Sequence, residues 1–393
     1  MLDPVVIVGA ARTPLASFQG DFASLAAHEL GSIAIRAAVE RAGLDPAQID
    51  DVILGNCLMA GQGQAPARQA AIRGGIPSSA GAVTLSKMCG AGMQAVMYAH
   101  DSIIAGTNGV VLAGGMESMT NAPYLLTKAR GGYRVGNDTI YDHMMLDGLE
   151  DAYEKGRAMG SFGEQCAAKY GFTREQQDAY AIESVTRAQA ANNNGGFAWE
   201  IAPVTVTSRA GQTVIDKDER PLKLKAEKIP TLKPAFQKDG TITAASSSGN
   251  SDGAAALILM RESTAKRLGC KPLARILGHA RHSHEPEWFT TAPIGAIRKL
   301  YSKVGWSSAE VDLFEINEAF AAVPMAAMQE HNIPLSKVNI HGGACALGHP
   351  IGASGARIIV TLLGALRATG GTRGVAALCI GGGEATALAL EMI

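Results

Sequence analysis

Aromatic residues are scarce in this chain: they make up 5% of its 393 residues, and only 3 are tryptophan. Binding single-stranded nucleic acid calls for aromatic platforms set in a basic groove. Basic charge is not in excess either, since 35 Lys plus Arg stand against 36 Asp plus Glu, a formal net charge of -1. That balance argues against nucleic acid or an anionic membrane surface as the main partner. The 6 cysteines, at 57, 89, 166, 270, 345 and 379, form no CxxC pair and show no Cys/His metal spacing. A structural zinc site and a disulfide framework are therefore not expected, and no metal is assigned.

Long hydrophobic runs are missing as well. No stretch approaches the roughly 20 uninterrupted apolar residues that span a bilayer. Met1-Leu2-Asp3-Pro4 carries no basic segment, and Val5-Val6-Ile7-Val8 has the length of a strand, so no signal peptide is expected. The expectation is a cytoplasmic protein with reduced thiols.

Glycine and aliphatic residues are plentiful instead, with 46 glycines and 47% hydrophobic content. A chain this long exceeds one simple core and suggests two or three domains. A faint internal repeat supports this, at an offset of about 262 residues. Arg41-Ala42-Gly43-Leu44-Asp45 lies against Lys303-Val304-Gly305-Trp306-Ser307, and each segment leads to an apolar strand ending in Asn, at Asn56 and Asn317. Further on, the Cys89 loop falls opposite the loop from His349 to Gly355, and each opens an Ala-rich helical pattern, over 93–105 and 353–368. Strands alternating with helices predict two similar α/β halves with mostly parallel sheets. The domain expectation is 1–120 for the first half with a return segment at 250–270, 121–249 for an excursion covering the site, and 271–393 for the second half.

Three loops carry the chemistry: Lys87-Met88-Cys89-Gly90-Ala91-Gly92, Gly348-His349-Pro350-Ile351-Gly352 and Cys379-Ile380-Gly381-Gly382-Gly383. A buried structural thiol needs no glycine beside it, whereas a thiol that meets substrate gains access from small neighbours. At a helix N-terminus Cys89 would face free N–H groups that favour thiolate and can hold an oxyanion. An imidazole such as His349 can take a thiol proton. The bland readings are a packed small residue for Cys89, a hydrogen-bonded structural histidine for His349 and a helix N-cap for Asn317. His341 fits a turn. His279, His282 and His284 have no carboxylate or cysteine at metal-ligand spacing, so a solvated loop is expected there. Gly90-Ala91-Gly92-Met93-Gln94-Ala95 also matches a loose dinucleotide fingerprint, but the only acidic candidate is Glu117, beyond the next strand's Gly pair. Two thiols and an imidazole meeting at one place suit chemistry on a thioester.

These motifs together resemble the thiolases, and specifically the acetyl-CoA acetyltransferase type. The resemblance runs from Ala10-Ala11-Arg12-Thr13-Pro14 to the last strand and includes Asn317-Glu318-Ala319-Phe320. It implies the thiolase fold, two βαβ-rich halves in a five-layered αβαβα arrangement with an inserted loop domain, and a homotetramer built as a dimer of dimers. It also implies reversible Claisen condensation of two acetyl-CoA to acetoacetyl-CoA plus CoA through a Cys89 acyl-enzyme, with CoA thioesters as substrates and no cofactor. His349 would activate Cys89, Cys379 would move the α-proton, Asn317 would hold a water, and Gly381 would add an oxyanion donor. Ser248 would contact the pantetheine arm, while Phe236, Leu149, Met159, Phe289, Ala319 and Phe320 would line the acyl tunnel. Arg220 would stand near the adenine.

Three departures from the family pattern surround the acyl pocket: Ala158 where many members have His, Phe289 where many short-chain members have Met, and the run at 245–251. Phe289 is similar to thiolases that accept 2-methyl-branched substrates. The alternatives are a 3-ketoacyl-CoA thiolase of longer or branched range, a ketoacyl synthase-like condensing enzyme, a non-catalytic acyl-CoA-binding thiolase-like protein, and a Rossmann-type oxidoreductase.

Overall fold

The computed structural model describes residues 3–209 and 211–393. The first half contributes β1 (Val5–Arg12), α1 (Ala27–Ala42), β2 (Asp51–Gly55), α2 (Pro66–Arg73), β3 (Gly81–Leu85), α3 (Ala91–Ile104) and β4 (Val110–Ser118). The excursion carries α4 (Met159–Tyr170) and α5 (Arg174–Asn194), and the chain then returns as β5 (Ser251–Arg261). The second half holds β6 (Ala274–Ser283), α6 (Ala292–Val304), β7 (Leu313–Ile316), α7 (Ala322–His331), α8 (Ile351–Thr369), β8 (Arg373–Ile380) and β9 (Glu384–Met392).

The strand order β1-β5-β4-β2-β3 in one half parallels β6-β9-β8-β7 in the other. The first strands of the two halves meet through Val6 with Arg275 and Ile7 with Ala274. Only β2 with β3, β2 with β4 and β7 with β8 pair in parallel. The sheets are therefore mixed, not mostly parallel. The returning β5 runs antiparallel to both β1 and β4, and β9 follows β8 as a hairpin, which sequence alternation alone does not reveal.

Side-chain alternation builds the layers. Along β5, Ala254, Ala256, Ile258 and Met260 pack with Leu30 and Ile35 of α1, while Ala255, Leu257 and Leu259 face Val96 of α3 and Ile359 of α8. The other face of the second sheet, with Phe314, Ala377 and Ala387, covers Ile297 of α6 and Ala326 of α7. The result is helices, sheet, a central α3/α8 layer, sheet and helices. Strands covered on both faces read as continuous apolar runs, as β1 does with all eight residues buried.

The central helices cross closely. A Cβ on Gly355 would lie 2.3 Å from the Met93 backbone nitrogen, so only glycine permits the approach. This crossing sets the N-terminal ends of α3 and α8, with Cys89 and His349 just before them, at one end of the central layer. α8 is also the one described helix long and apolar enough to cross a membrane, with a mean hydropathy of 1.4, yet it is 89% buried among the other layers.

The excursion adds no strand to the large sheet among the described residues. It is tied down by charge and packing. Buried Arg12 donates to Glu200 at 2.5 Å and to Asp218 at 2.7 and 2.9 Å. α5 is capped by Thr173 and Gln176, and it buries Gln177, Asp178, Ser184 and Asn192 beside its apolar residues.

Candidate active site

Cys89 sits between the edge strand β3 and α3. The turn that presents it places Met88 at φ 47°, a left-handed conformation unfavourable for a side chain with a Cβ. Gly90 N–H donates to the Lys87 carbonyl at 3.0 Å and Ala91 N–H to the Met88 carbonyl at 2.9 Å. The Cys57 thiol also donates to the Met88 carbonyl, at 3.2 Å. From the other half, Ile380 packs so tightly on Gly90 that a Cβ there would lie 2.3 Å from its Cδ1. The Cys379-Ile380-Gly381 turn is thereby brought against the Cys89 loop, and the Gly381 N–H donates to the Cys89 sulfur.

Cys89 is a neutral thiol at rest. Burial pushes its pKa up to about 11, outweighing the N–H groups of Gly381 and Cys89 that lower it. Loss of solvent here opposes the thiolate that the free N–H groups of the helix end favour.

His349 is buried, and its Nδ1 lies 2.5 Å from Ser354 Oγ, which in turn donates to the Pro350 carbonyl at 3.0 Å. Ser354 therefore accepts the Nδ1 proton, which leaves Nε2 as the lone-pair nitrogen, and Nε2 has no protein partner. Burial, then the positive charge of Arg357, holds the imidazole down to about 3, so it is neutral and fit to accept a proton. The His349 N–H donates to the Gly249 carbonyl at 2.8 Å, which ties it to the Ser248 loop.

One narrow apolar cleft gathers Cys89, His349, Gly381, Ser248, Leu149, Met159, Phe289, Ala319 and Phe320, together with Met88, Gly148 and Ile351. The Ser248 N–H donates to the Ala319 carbonyl at 2.9 Å. Phe289 meets Phe162 edge to face at 5.8 Å, and Phe236 meets Phe320 likewise at 5.9 Å from a more exposed position. Cys379 packs beside Phe289 and Phe320, fully buried. Its thiol is pushed well above the ordinary range by burial and then by the neighbouring Cys89 sulfur. Asn317 is buried with both side-chain polar atoms unpartnered, and α7 begins only at Ala322, so it is not an N-cap. A buried amide without partners is costly unless something else fills its bonds.

Arg220 is placed differently. Its Nη2 donates to the Cys345 carbonyl at 3.3 Å, and its guanidinium fills the space beside Gly249, beneath the Ser248 and His349 loops and off the cleft. The histidine trio is not a solvated loop either: His279 and His282 lie in β6, His282 packs on Gly295, and His284 bonds the Trp288 carbonyl.

The roles of two carboxylates escaped the sequence reading. Buried Glu117 accepts from Asn56 Nδ2 (2.6 Å), Cys57 N–H (2.9 Å), Leu58 N–H (3.2 Å) and Gly352 N–H (2.9 Å). It joins loops of both halves around the cleft, and burial raises it to about 7. Glu318 accepts from Tyr180 (3.0 Å), Ser184 (2.8 Å), Asn339 (2.8 Å) and the Cys345 N–H (3.0 Å). A lone acidic letter ending an apolar strand run was the available signal.

Residues 5–263 match the family model "Thiolase, N-terminal domain" and residues 270–392 match "Thiolase, C-terminal domain". An acetyl-CoA acetyltransferase of Arabidopsis thaliana is 50% identical over 99% of this chain and 97% of that protein. One of Allochromatium vinosum is 46% identical over all of both chains. A crystal structure of a thiolase from Ascaris suum in complex with coenzyme A has a TM-score of 0.94 at 42% identity, covering 99% of this chain and 100% of that one. The acetyl-CoA acetyltransferase of Bacillus anthracis has a TM-score of 0.96 at 41% identity, covering 100% and 99%. With both domain models spanning it and full-length relatives near half identity, the chain belongs to the thiolase family.

Proposed function

We propose that this chain is an acetyl-CoA C-acetyltransferase, condensing two acetyl-CoA to acetoacetyl-CoA plus CoA and able to run in reverse. The observation that carries the reading is the free Nε2 of His349 opening, with Cys89, onto one apolar cleft where the Gly381 N–H meets the Cys89 sulfur.

In the first half-reaction His349 Nε2 takes the Cys89 proton while the sulfur attacks the acetyl carbonyl of acetyl-CoA. The carbonyl oxygen rests on the N–H groups of Cys89 and Gly381. The carbon–sulfur bond to CoA breaks, and the departing thiolate takes the proton of Cys379. Acetyl-Cys89, a Cys379 thiolate and a His349 imidazolium remain. In the second, Cys379 removes the α-proton of another acetyl-CoA, whose enolate oxygen is held by His349 Nε2–H and a water on Asn317. The enolate carbon attacks acetyl-Cys89, and the expelled sulfur recovers its proton from His349. All three groups return to their starting states, and the balance calls for no redox cofactor or metal.

Assembly into a cytoplasmic homotetramer is part of the proposal. Its support is the open edge strand β3, with Val83 exposed, and the exposed Tyr124, Leu126, Val135 and Ile140 of the excursion. Thiolysis of acetoacetyl-CoA, 3-ketohexanoyl-CoA and 2-methylacetoacetyl-CoA by wild type and Cys89→Ala tests the function. Cleavage of acetoacetyl-CoA fastest, and lost in the variant, is expected. Preference for a longer or branched substrate moves the assignment to a degradative thiolase.

A further inference from the structure

Of His279, His282 and His284, only His279 meets a carboxylate. Its Nε2 lies 2.8 Å from Asp101 Oδ1, and the Nδ1 of His100 lies 3.1 Å from the same oxygen. The two rings meet edge to face, with centroids 5.1 Å apart at 87°. One donor atom from each of the three residues lies within 4.8 Å of the others, the one such trio of His, Cys, Asp or Glu among the described residues. His100 and Asp101 stand near the end of α3 farthest from Cys89, whereas His279 stands on β6 of the other half. The imidazoles are mostly covered, at 15% and 11% exposure, and Asp101 is open at 55%.

A surface hydrogen-bond knot is the plain alternative, with both rings donating to one carboxylate oxygen. Convergence of both ring nitrogens on one point is also what a metal centre requires. Lys303 and, for His100, Arg261 add positive charge beside the two imidazoles. Lys303 turns its Nζ to the His279 carbonyl at 3.2 Å. One carboxylate beside two cations is a poor cage for calcium or magnesium, which need several oxygens. Two imidazoles and one carboxylate suit borderline divalent ions of the zinc class.

We propose that His100, Asp101 and His279 form a binding site for a divalent transition metal of the zinc class, clamping α3 to β6. Metal–nitrogen bonds of about 2.0–2.1 Å place tetrahedral ligands roughly 3.3 Å apart, so the two contacts to Asp101, at 2.8 and 3.1 Å, open by only a few tenths of an ångström. Each imidazole moves its proton to the outer nitrogen, with no net proton release, and water completes the shell on the open side of Asp101.

The full chain, stripped with EDTA, would be titrated with Zn²⁺ by calorimetry and with Co²⁺ by visible absorption. Wild type would be compared with His100→Gln, His279→Gln, His282→Gln and Cys89→Ala. Expected are one Zn²⁺ per chain, tetrahedral Co²⁺ bands without thiolate charge transfer, and a Tm raised by Zn²⁺. Affinity falls at least tenfold in His100→Gln and His279→Gln and is kept in the other two. Because the site is remote from the cleft, thiolysis by His100→Gln and His279→Gln stays at the wild-type rate and certifies their fold. Binding that survives both substitutions, thiolate charge transfer from the wild-type Co²⁺ complex, or no binding at micromolar Zn²⁺ overturns the proposal.

Discussion

Ser354 Oγ accepts the Nδ1 proton of His349 at 2.5 Å while donating its own proton to the Pro350 carbonyl at 3.0 Å. The pair fixes which imidazole nitrogen faces the cleft. Ser354→Ala removes the lock and frees the ring to adopt the wrong tautomer. A hydrogen bond of this kind contributes about 1–3 kcal/mol, so kcat should fall about ten- to a hundredfold with the fold intact by circular dichroism. Unchanged kcat would mean that the tautomer is set elsewhere.

The thiol and imidazole are both neutral at rest, with Cys89 near 11 and His349 near 3. A thiol whose pKa is raised gains thiolate only as pH climbs toward that value. Alkylation of Cys89 by iodoacetamide should therefore accelerate continuously from pH 6 to pH 9, at about one decade per unit, because only the thiolate attacks. A plateau from acidic pH would instead reveal a thiolate–imidazolium pair.

Each Glu117 oxygen accepts two donors, drawn from Asn56, Cys57, Leu58 and Gly352. Glu117→Gln turns an NH2 group toward two of them, whichever way the amide faces. Leaving buried donors unpaired costs about 1–3 kcal/mol each, so urea denaturation should show a loss of at least about 2 kcal/mol. Wild-type stability in this variant would rule out the clamp.

Much of this arrangement was legible in the residues. The glycines beside Cys89, His349 and Cys379 marked loops where backbone must approach closely, and the repeat foretold two similar halves. Strand sense was not legible, because apolar runs look alike whichever way a neighbour runs. The roles of Glu117 and Glu318 were hidden for another reason: each acts through partners distant in sequence. The charge state of Cys89 depended on burial, which a helix-end argument leaves out.

Phe289 is 3% exposed and closes the cleft against Phe162. Phe289→Leu shortens the wall where the acyl end would rest. The ratio of 3-ketohexanoyl-CoA to acetoacetyl-CoA thiolysis should rise several-fold, within the about 1–3 kcal/mol that a methylene-scale change in a pocket supplies. An unchanged ratio would place the chain-length limit at another residue.

The central claim is a division of labour between two thiols, with Cys89 carrying the acyl group and Cys379 moving the α-proton. Its most direct test is mass spectrometry of Cys379→Ala after incubation with acetyl-CoA. The account predicts a single acetyl group accumulating on the Cys89 peptide, with no acetoacetyl-CoA formed. Normal acetoacetyl-CoA production by this variant, or acetyl found on another residue, would contradict it.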